Sequence, residues 1–420
     1  MSGVSLWLRR FHSGHQAMRR RLASSPQGGH STVTSPEQAV LLACALSDQR
    51  QAVAVLGQAL PAVGDWDGLR KAALHHGVAG LLYKRMVESA STAIPAEQLE
   101  ALRALTTANE RRSLRMSVQL LGLLELLYRE GIEAFPVKGP VMAEALYGDA
   151  GLRHSVDLDI AIRPRDVTTA RDVLLAAGFQ QITGVGIEID RLLASECEVA
   201  LKNPDRELVL DLHWRLGPRF AHASLPVADL MTGARTTTLL GRDVFTLSRE
   251  DLFVMMCVHG AHSHRWDQLE LVAALGAWGA SAAESDWLPL LARAARLGCL
   301  RRCTIGCLLM RDVTGCALPA DIESRLARDT LAARLADRAR AAMFAEGLQT
   351  SPRDGLGGIV WESLALDRPT LMLAHFVARM FTPGTWDWEF GRIPRHLPRL
   401  YYLSRPLRLA LGRFGREGSQ

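Results

Sequence analysis

Hydrophobic and polar positions along this chain change period twice. Apolar residues recur at helical spacing from Val40 to Leu60, from Leu69 to Met86 and from Leu99 to Leu127, and Ser35 stands as an N-cap before Pro36-Glu37. At Gly131 the pattern shifts. Ile132 to Val137 is a short apolar run between glycines and predicts a strand. Pro136 within it points to an edge position or an irregular end, because proline cannot donate to a ladder. Lys138-Gly139-Pro140 then opens a helix to about Tyr147. Val156 to Ile162 alternates as Val-Asp-Leu-Asp-Ile-Ala-Ile, a second strand, and Arg165-Asp166 begins a helix that stops at Gly178. Glu196 to Leu201 and Glu207 to His213 alternate again on either side of Asn203-Pro204-Asp205-Arg206, which predicts a hairpin. After Leu247 helical periodicity returns, with Ser248 as its start, and persists to about Met380.

These periods predict an α+β chain, mostly helical overall, with a small mixed-sheet core flanked by N- and C-terminal helical regions. The expected organisation is a flexible basic tail over 1–36, a helical region over 37–128 and an α/β core over 129–247. A second helical region follows over 248–380, then a basic aromatic tail over 381–420. No internal repeat and no heptad run interrupts this order.

Composition narrows the class without naming a function. At 420 residues the chain can build two or three domains, and 48% hydrophobic with 22% charged residues is a soluble profile. A net charge of +5 does not itself argue for nucleic acid. The basic residues concentrate at the ends: Arg9, Arg10, Arg19, Arg20 and Arg21 precede Glu37 without an acid, and seven arginines from Arg392 onward face only Glu417. Either these are solvated tails, or they contact a membrane surface or another polyanion, with Trp386, Trp388, Phe390, Tyr401 and Tyr402 as interfacial anchors.

Arg9-Arg10 is not followed by an apolar segment, so no signal peptide is expected. The apolar stretch around Leu271 to Ala283 is too short to span a bilayer. Seven cysteines fit a reducing cytoplasm, and Cys299, Cys303 and Cys307 form one helical stripe of buried thiols. The expected location is therefore cytoplasmic, with peripheral contact at the inner membrane surface under the second reading of the tails.

The candidate chemistry lies in the middle of the chain. Asp157 and Asp159, two apart on a strand, project from one face while Leu158 points into the core. Paired carboxylates repel, and burial without a partner is costly, so a divalent cation is the natural occupant. Mg²⁺ is usually held by one or two carboxylates together with substrate phosphates. Asp211, mid-strand in Leu-Val-Leu-Asp-Leu-His-Trp, could face that pair from the hairpin and bind a second metal or activate an acceptor hydroxyl. Lys138 and Gly139, at a strand end that opens a helix, supply a cation and backbone amides for phosphate, and Arg153 adds a second positive group.

This order of elements resembles the uncharacterised bacterial nucleotidyltransferases of the DNA polymerase β-like superfamily. The resemblance rests on Phe135-Pro-Val-Lys-Gly139, Arg153-His-Ser-Val-Asp-Leu-Asp159, Ala177-Gly-Phe179 and Val209-Leu-Asp-Leu-His-Trp214. Weaker echoes are Ala73-Leu-His-His-Gly-Val78 and Val258-His-Gly-Ala-His262 with Trp266. The resemblance implies Mg²⁺- or Mn²⁺-dependent transfer of an NMP group from an NTP to an acceptor, a sugar, peptide, protein or RNA, with pyrophosphate leaving. It makes Asp157, Asp159 and Asp211 the metal-binding and catalytic residues, with Lys138, Gly139 and Arg153 on the nucleotide. Lys138-Gly139 stands where the superfamily more usually has Gly-Ser. Two other classes remain alternatives: a non-catalytic nucleotide-binding assembly module, and a nucleotidylating toxin acting on RNA or protein.

Several other residues invite chemistry. His213 shares a strand face with Asp211 and either orients it, touches the acceptor or is a satisfied half-buried histidine. His259, His262 and His264 suggest zinc, but only His259 and His262 share a helical face, so packing is expected first and a nucleotide-facing role second. His75 and His76 fall on a helix with Val78, Leu81 and Leu82, where packing is the default. Gly184-Val-Gly186 lacks the third glycine of a dinucleotide fingerprint. No phosphate loop, His-Glu-x-x-His or Gly-x-Ser-x-Gly is present, so a serine or thiol hydrolase has no support.

Overall fold

The computed structural model of the chain describes residues 35–217, 225–344 and 356–382, with Tyr402, Arg405 and Pro406. Most of the basic tails, with the anchors Trp386, Trp388, Phe390 and Tyr401, lie outside the described residues.

Helices α1 (Pro36–Ala45), α2 (Gln49–Ala59), α3 (Trp66–His75) and α4 (Ala79–Ser89) lead into the long α5 (Ala96–Arg129). Ser35 caps α1 as expected: its side chain accepts from the Gln38 amide, and Gln38 answers its backbone. The periodic stretch from Leu69 to Met86 is two helices rather than one. The break falls at Gly77, whose φ is +69° and where a Cβ would sit 3.1 Å from the Glu270 Cβ, so both conformation and close approach call for glycine.

The α/β segment follows in the expected order. It comprises β1 (Ala134–Pro136), α6 (Gly139–Tyr147), β2 (Leu158–Ile162), α7 (Val167–Ala176), β3 (Gln180–Gln181), α8 (Ile189–Ser195), β4 (Glu198–Asn203) and β5 (Leu208–His213). The strands form one mixed sheet in the order β1-β2-β5-β4-β3, so β1, with Pro136, is an edge strand. β2 and β5 run parallel, while β4 and β5 form the antiparallel hairpin. Short pieces β6 (Arg215–Leu216), β7 (Leu225–Pro226) and α9 (Val227–Thr232) precede a second hairpin, β8 (Arg235–Leu239) and β9 (Arg242–Thr246). Sequence periodicity does not predict that hairpin; it turns through Leu240 and Gly241, both at positive φ.

The rest is helical: α10 (Arg249–His259), a π-helical turn Gly260–His264, α11 (Leu269–Ala280), α12 (Trp287–Arg296), α13 (Leu300–Thr314), α14 (Ala320–Leu326), α15 (Thr330–Met343), α16 (Leu356–Leu364) and α17 (Pro369–Phe381). Ser248 accepts from the Asp251 amide and so caps α10. The architecture is the expected α+β, mostly helical, with a small mixed sheet. No helix among the described residues is long and apolar enough to cross a membrane.

Two cores explain how the sheet is held. Leu158, Ile160 and Ile162 of β2, Leu208, Leu210 and Leu212 of β5, and Val199 and Leu201 of β4 pack with Met116, Leu120, Leu123 and Leu127 of α5 and with α7. Because successive strand residues alternate sides, this apolar packing turns Asp159, Asp211, His213 and Glu198 to the other face. The larger core is helical and is shared by residues from both ends of the described chain, including Leu41, Leu56, Leu82, Leu275 and Val313. Ser47 ties the two ends directly, donating its amide and hydroxyl to the Thr314 carbonyl at 2.9 and 3.1 Å.

Candidate active site

Strand register assembles the site. The parallel β2–β5 pairing sets Asp159 opposite Asp211, and the β4–β5 hairpin sets Glu198 opposite His213. Ligand atoms of Asp159, Asp211 and His213 all lie within 4.8 Å of one another, and among the described residues this is the only such group of potential metal ligands. Asp157 sits two residues before Asp159, at the bend that precedes β2. It is outside that group of three but close enough for the two charges to repel.

Asp159 is the most buried acid of the set, 4% exposed. Its Oδ1 accepts from Lys138 Nζ at 2.7 Å and lies 2.9 Å from His213 Nε2. The other ring nitrogen, Nδ1, lies 2.9 Å from Glu198 Oε2. Burial alone would raise the Asp159 carboxyl, but Lys138 and His213 outweigh it and hold it far below the usual carboxylate range. Burial works against His213 carrying charge, yet Glu198 and Asp159 push it up to about 10. Asp211 is in the opposite situation. Burial first, then the charges of Glu198, Asp159 and Asp157, push it up to about 7, and His213 opposes them only in part. Asp157 is raised by burial and by Asp159.

That imbalance is what a cation would correct. Two carboxylates raised by burial and then by like charge, beside a third held ionised, make a donor set of the hard-oxygen kind that divalent ions take. Asp159 and Asp211 thus offer carboxylate oxygens of the kind a divalent metal takes, with His213 beside them and Asp157 just outside the group.

Phosphate-binding candidates lie on the same side. Lys138 is the N-cap of α6 and Gly139 is its first residue, at φ +69°. A Cβ on Gly139 would come no nearer than 3.8 Å to the Asp157 carbonyl oxygen, so the glycine answers a backbone requirement rather than lack of space. The α6 N-terminus thus abuts the carboxylate strand. Arg153 is anchored: its Nε donates to Glu270 Oε1 at 2.5 Å and its Nη1 to Ser155 Oγ at 3.1 Å. The guanidinium still contributes to the field at Asp157. Its loop is fastened to α5, where Asn109 Nδ2 donates to the Arg153 carbonyl at 3.1 Å and Ser113 Oγ to the Ala150 carbonyl at 2.6 Å.

His213 hydrogen-bonds Asp159 rather than orienting Asp211. The zinc reading of His259, His262 and His264 finds no ligand cluster among the described residues. His262 pairs instead with Glu362 at 3.3 Å, whereas His259 lies near the site, its charged form disfavoured by burial and then by Lys138. His76 is a packing residue: its Nδ1 accepts from the Leu269 amide and its carbonyl from the Glu270 amide, at the start of α11.

Sequence reasoning missed Glu198. The signal was present, since a turn over residues 204–207 fixes the pairing Asn203↔Leu208 and, counted outward, Glu198↔His213.

A family model described as an uncharacterised nucleotidyltransferase matches residues 63–315, which spans the sheet, the carboxylates and the helices on both sides. No curated protein matches the chain.

Proposed function

The chain belongs to this uncharacterised nucleotidyltransferase family, and we propose that its reaction is metal-dependent transfer of an NMP group from an NTP to an acceptor, with pyrophosphate leaving. The observation that carries the reading is the register that pairs Asp159 with Asp211 across two parallel strands, with Asp157 just before.

Asp157, Asp159 and Asp211 would hold Mg²⁺ or Mn²⁺, which when bound offsets charge on the triphosphate. Lys138 has three donors and spends one on Asp159, leaving two for phosphate oxygens. The Gly139 amide and the α6 N-terminus add aligned backbone dipoles toward the same anion. Arg153, fixed by Glu270, contributes field rather than a freely moving contact. An acceptor hydroxyl oxygen forms a bond to the α-phosphorus while the bond from that phosphorus to the bridging oxygen breaks. The electron pair leaves with pyrophosphate, and the hydroxyl proton passes to Asp211 or to solvent. Catalysis of this kind is positioning plus charge neutralisation.

No observation favours a non-catalytic module, which would have no need to keep repelling acids together. The test is incubation with α-labelled NTPs, Mg²⁺ or Mn²⁺ and an extract of the native host. Label should appear in one acceptor class with release of pyrophosphate. Asp157→Asn should lower the rate beyond the ~100-fold typical of losing an outer partner of a metal ligand. Nucleotide binding without pyrophosphate release across the extract would sink the proposal.

A further inference from the structure

His213 lies within ligand reach of Asp159 and Asp211, and by distance alone it would count as a metal ligand. Its contacts say otherwise. Nε2 hydrogen-bonds Asp159 Oδ1 at 2.9 Å, and Nδ1 stands 2.9 Å from Glu198 Oε2 in a charge contact that lacks the alignment of a hydrogen bond. Asp159 can only accept, so Nε2 is the donor, and a nitrogen that donates has no lone pair to offer a cation. Lys138 Nζ lands on the same Asp159 oxygen, Oδ1, at 2.7 Å. Both groups thus engage one oxygen of Asp159 and leave the other, Oδ2, without either of them.

We propose that Glu198 and His213 form a bracket that fixes Asp159, with His213 a positioning residue rather than a metal ligand and Glu198 its outer support. The bracket deepens the reading of Asp159 as a metal ligand and rests on it. Strand geometry supplies it: Glu198 and His213 are cross-strand partners on the β4–β5 hairpin, and His213 and Asp159 sit on the adjoining β5 and β2. Ligating carboxylates are commonly held by hydrogen bonds of this kind, and removing such a partner costs roughly 10- to 100-fold in metal affinity. Glu198 has no apolar reason to be where it is. Its strand neighbours Val199 and Leu201 face the core, and it faces the site.

The experiment uses the full chain loaded with Mn²⁺. Electron spin-echo spectroscopy should find no directly coordinated imidazole nitrogen in the wild-type protein. Glu198→Ala should weaken Mn²⁺ binding about tenfold or more. Glu198→Gln keeps a polar oxygen facing Nδ1 but not the charge, and should restore only part of that loss. His213→Gln should also weaken binding, and adding Glu198→Ala to it should change little, because the two act in series. An imidazole-nitrogen coupling that vanishes in His213→Gln would overturn the bracket, as would a Glu198→Ala variant that melts earlier with unchanged Mn²⁺ affinity. Mn²⁺ binding that follows the bracket without pyrophosphate release would defeat the proposed reaction and leave the bracket standing; no Mn²⁺ binding would defeat both.

Discussion

Asp211 is the least comfortable charge in the molecule's acidic cluster, and its behaviour separates the metal-free protein from the loaded one. Its folded pKa, near 7, lies above the ordinary carboxylate value, so the folded state binds this proton more tightly than the unfolded chain does. Stability from this group is therefore full at low pH, declines as pH rises from about 4 to about 7, and stays reduced above that. Asp211→Asn in chelator at pH 8 should raise stability by about 2 kcal/mol, read as a higher melting temperature. Added Mg²⁺ should then raise the melting temperature of wild type and not of the variant. A variant less stable than wild type in chelator at pH 8 would contradict the account. The convergence of Asp159 and Asp211 was legible from the sequence because acids in apolar, alternating strands have no ordinary surface role, whereas Asp157, expected on the same strand, lies at the bend before it. Glu198 was legible only by counting the hairpin register outward from its turn, and the partner of Arg153 was not legible, because Glu270 lies 117 residues away.

Elements with a clean period were the readable ones. β1, α6, β2 and the β4–β5 hairpin follow directly from alternation, Pro136, Gly139 and the Asn-Pro-Asp-Arg turn. The β8–β9 hairpin lacks that signature: Phe245 is 64% exposed, and only Leu239 and Val244 join the sheet's core, so alternation of polarity is too weak to read. The π-helical turn at Gly260–His264 is set by tertiary packing. Gly260 lies under the fully buried Trp266 ring, where a Cβ would be 2.7 Å from the nearest ring carbon. Such turns often occur at functional sites, and this one follows His259 beside the carboxylates. Gly260→Ala should destabilise the protein by about 1–3 kcal/mol through overpacking, measured as a lower urea midpoint. An unchanged midpoint would mean that Trp266 can move aside at no cost.

The α/β segment and the later helices are joined by a buried ion pair. Arg153 and Glu270 are 11% and 9% exposed, so neither charge can be left alone cheaply. Arg153→Met or Glu270→Met should each cost about 3–5 kcal/mol, whereas the double variant should cost less than the sum and approach wild type. Guanidinium unfolding of the four proteins measures this, and additive losses would rule the coupling out. This pair also explains why the α/β segment alone did not reveal how Arg153 is held: its restraint is supplied by a helix that the periodicity places in another region.

The helical core shared by both flanks has a consequence for how the chain reaches its shape during synthesis. Leu41, Leu56 and Leu82 emerge first, yet Leu275 and Val313 of the same core follow about two hundred residues later. At about 5–20 residues per second, the ribosome leaves that early apolar surface waiting on the order of ten seconds or longer. Throughout that interval it is the surface a holding chaperone would meet.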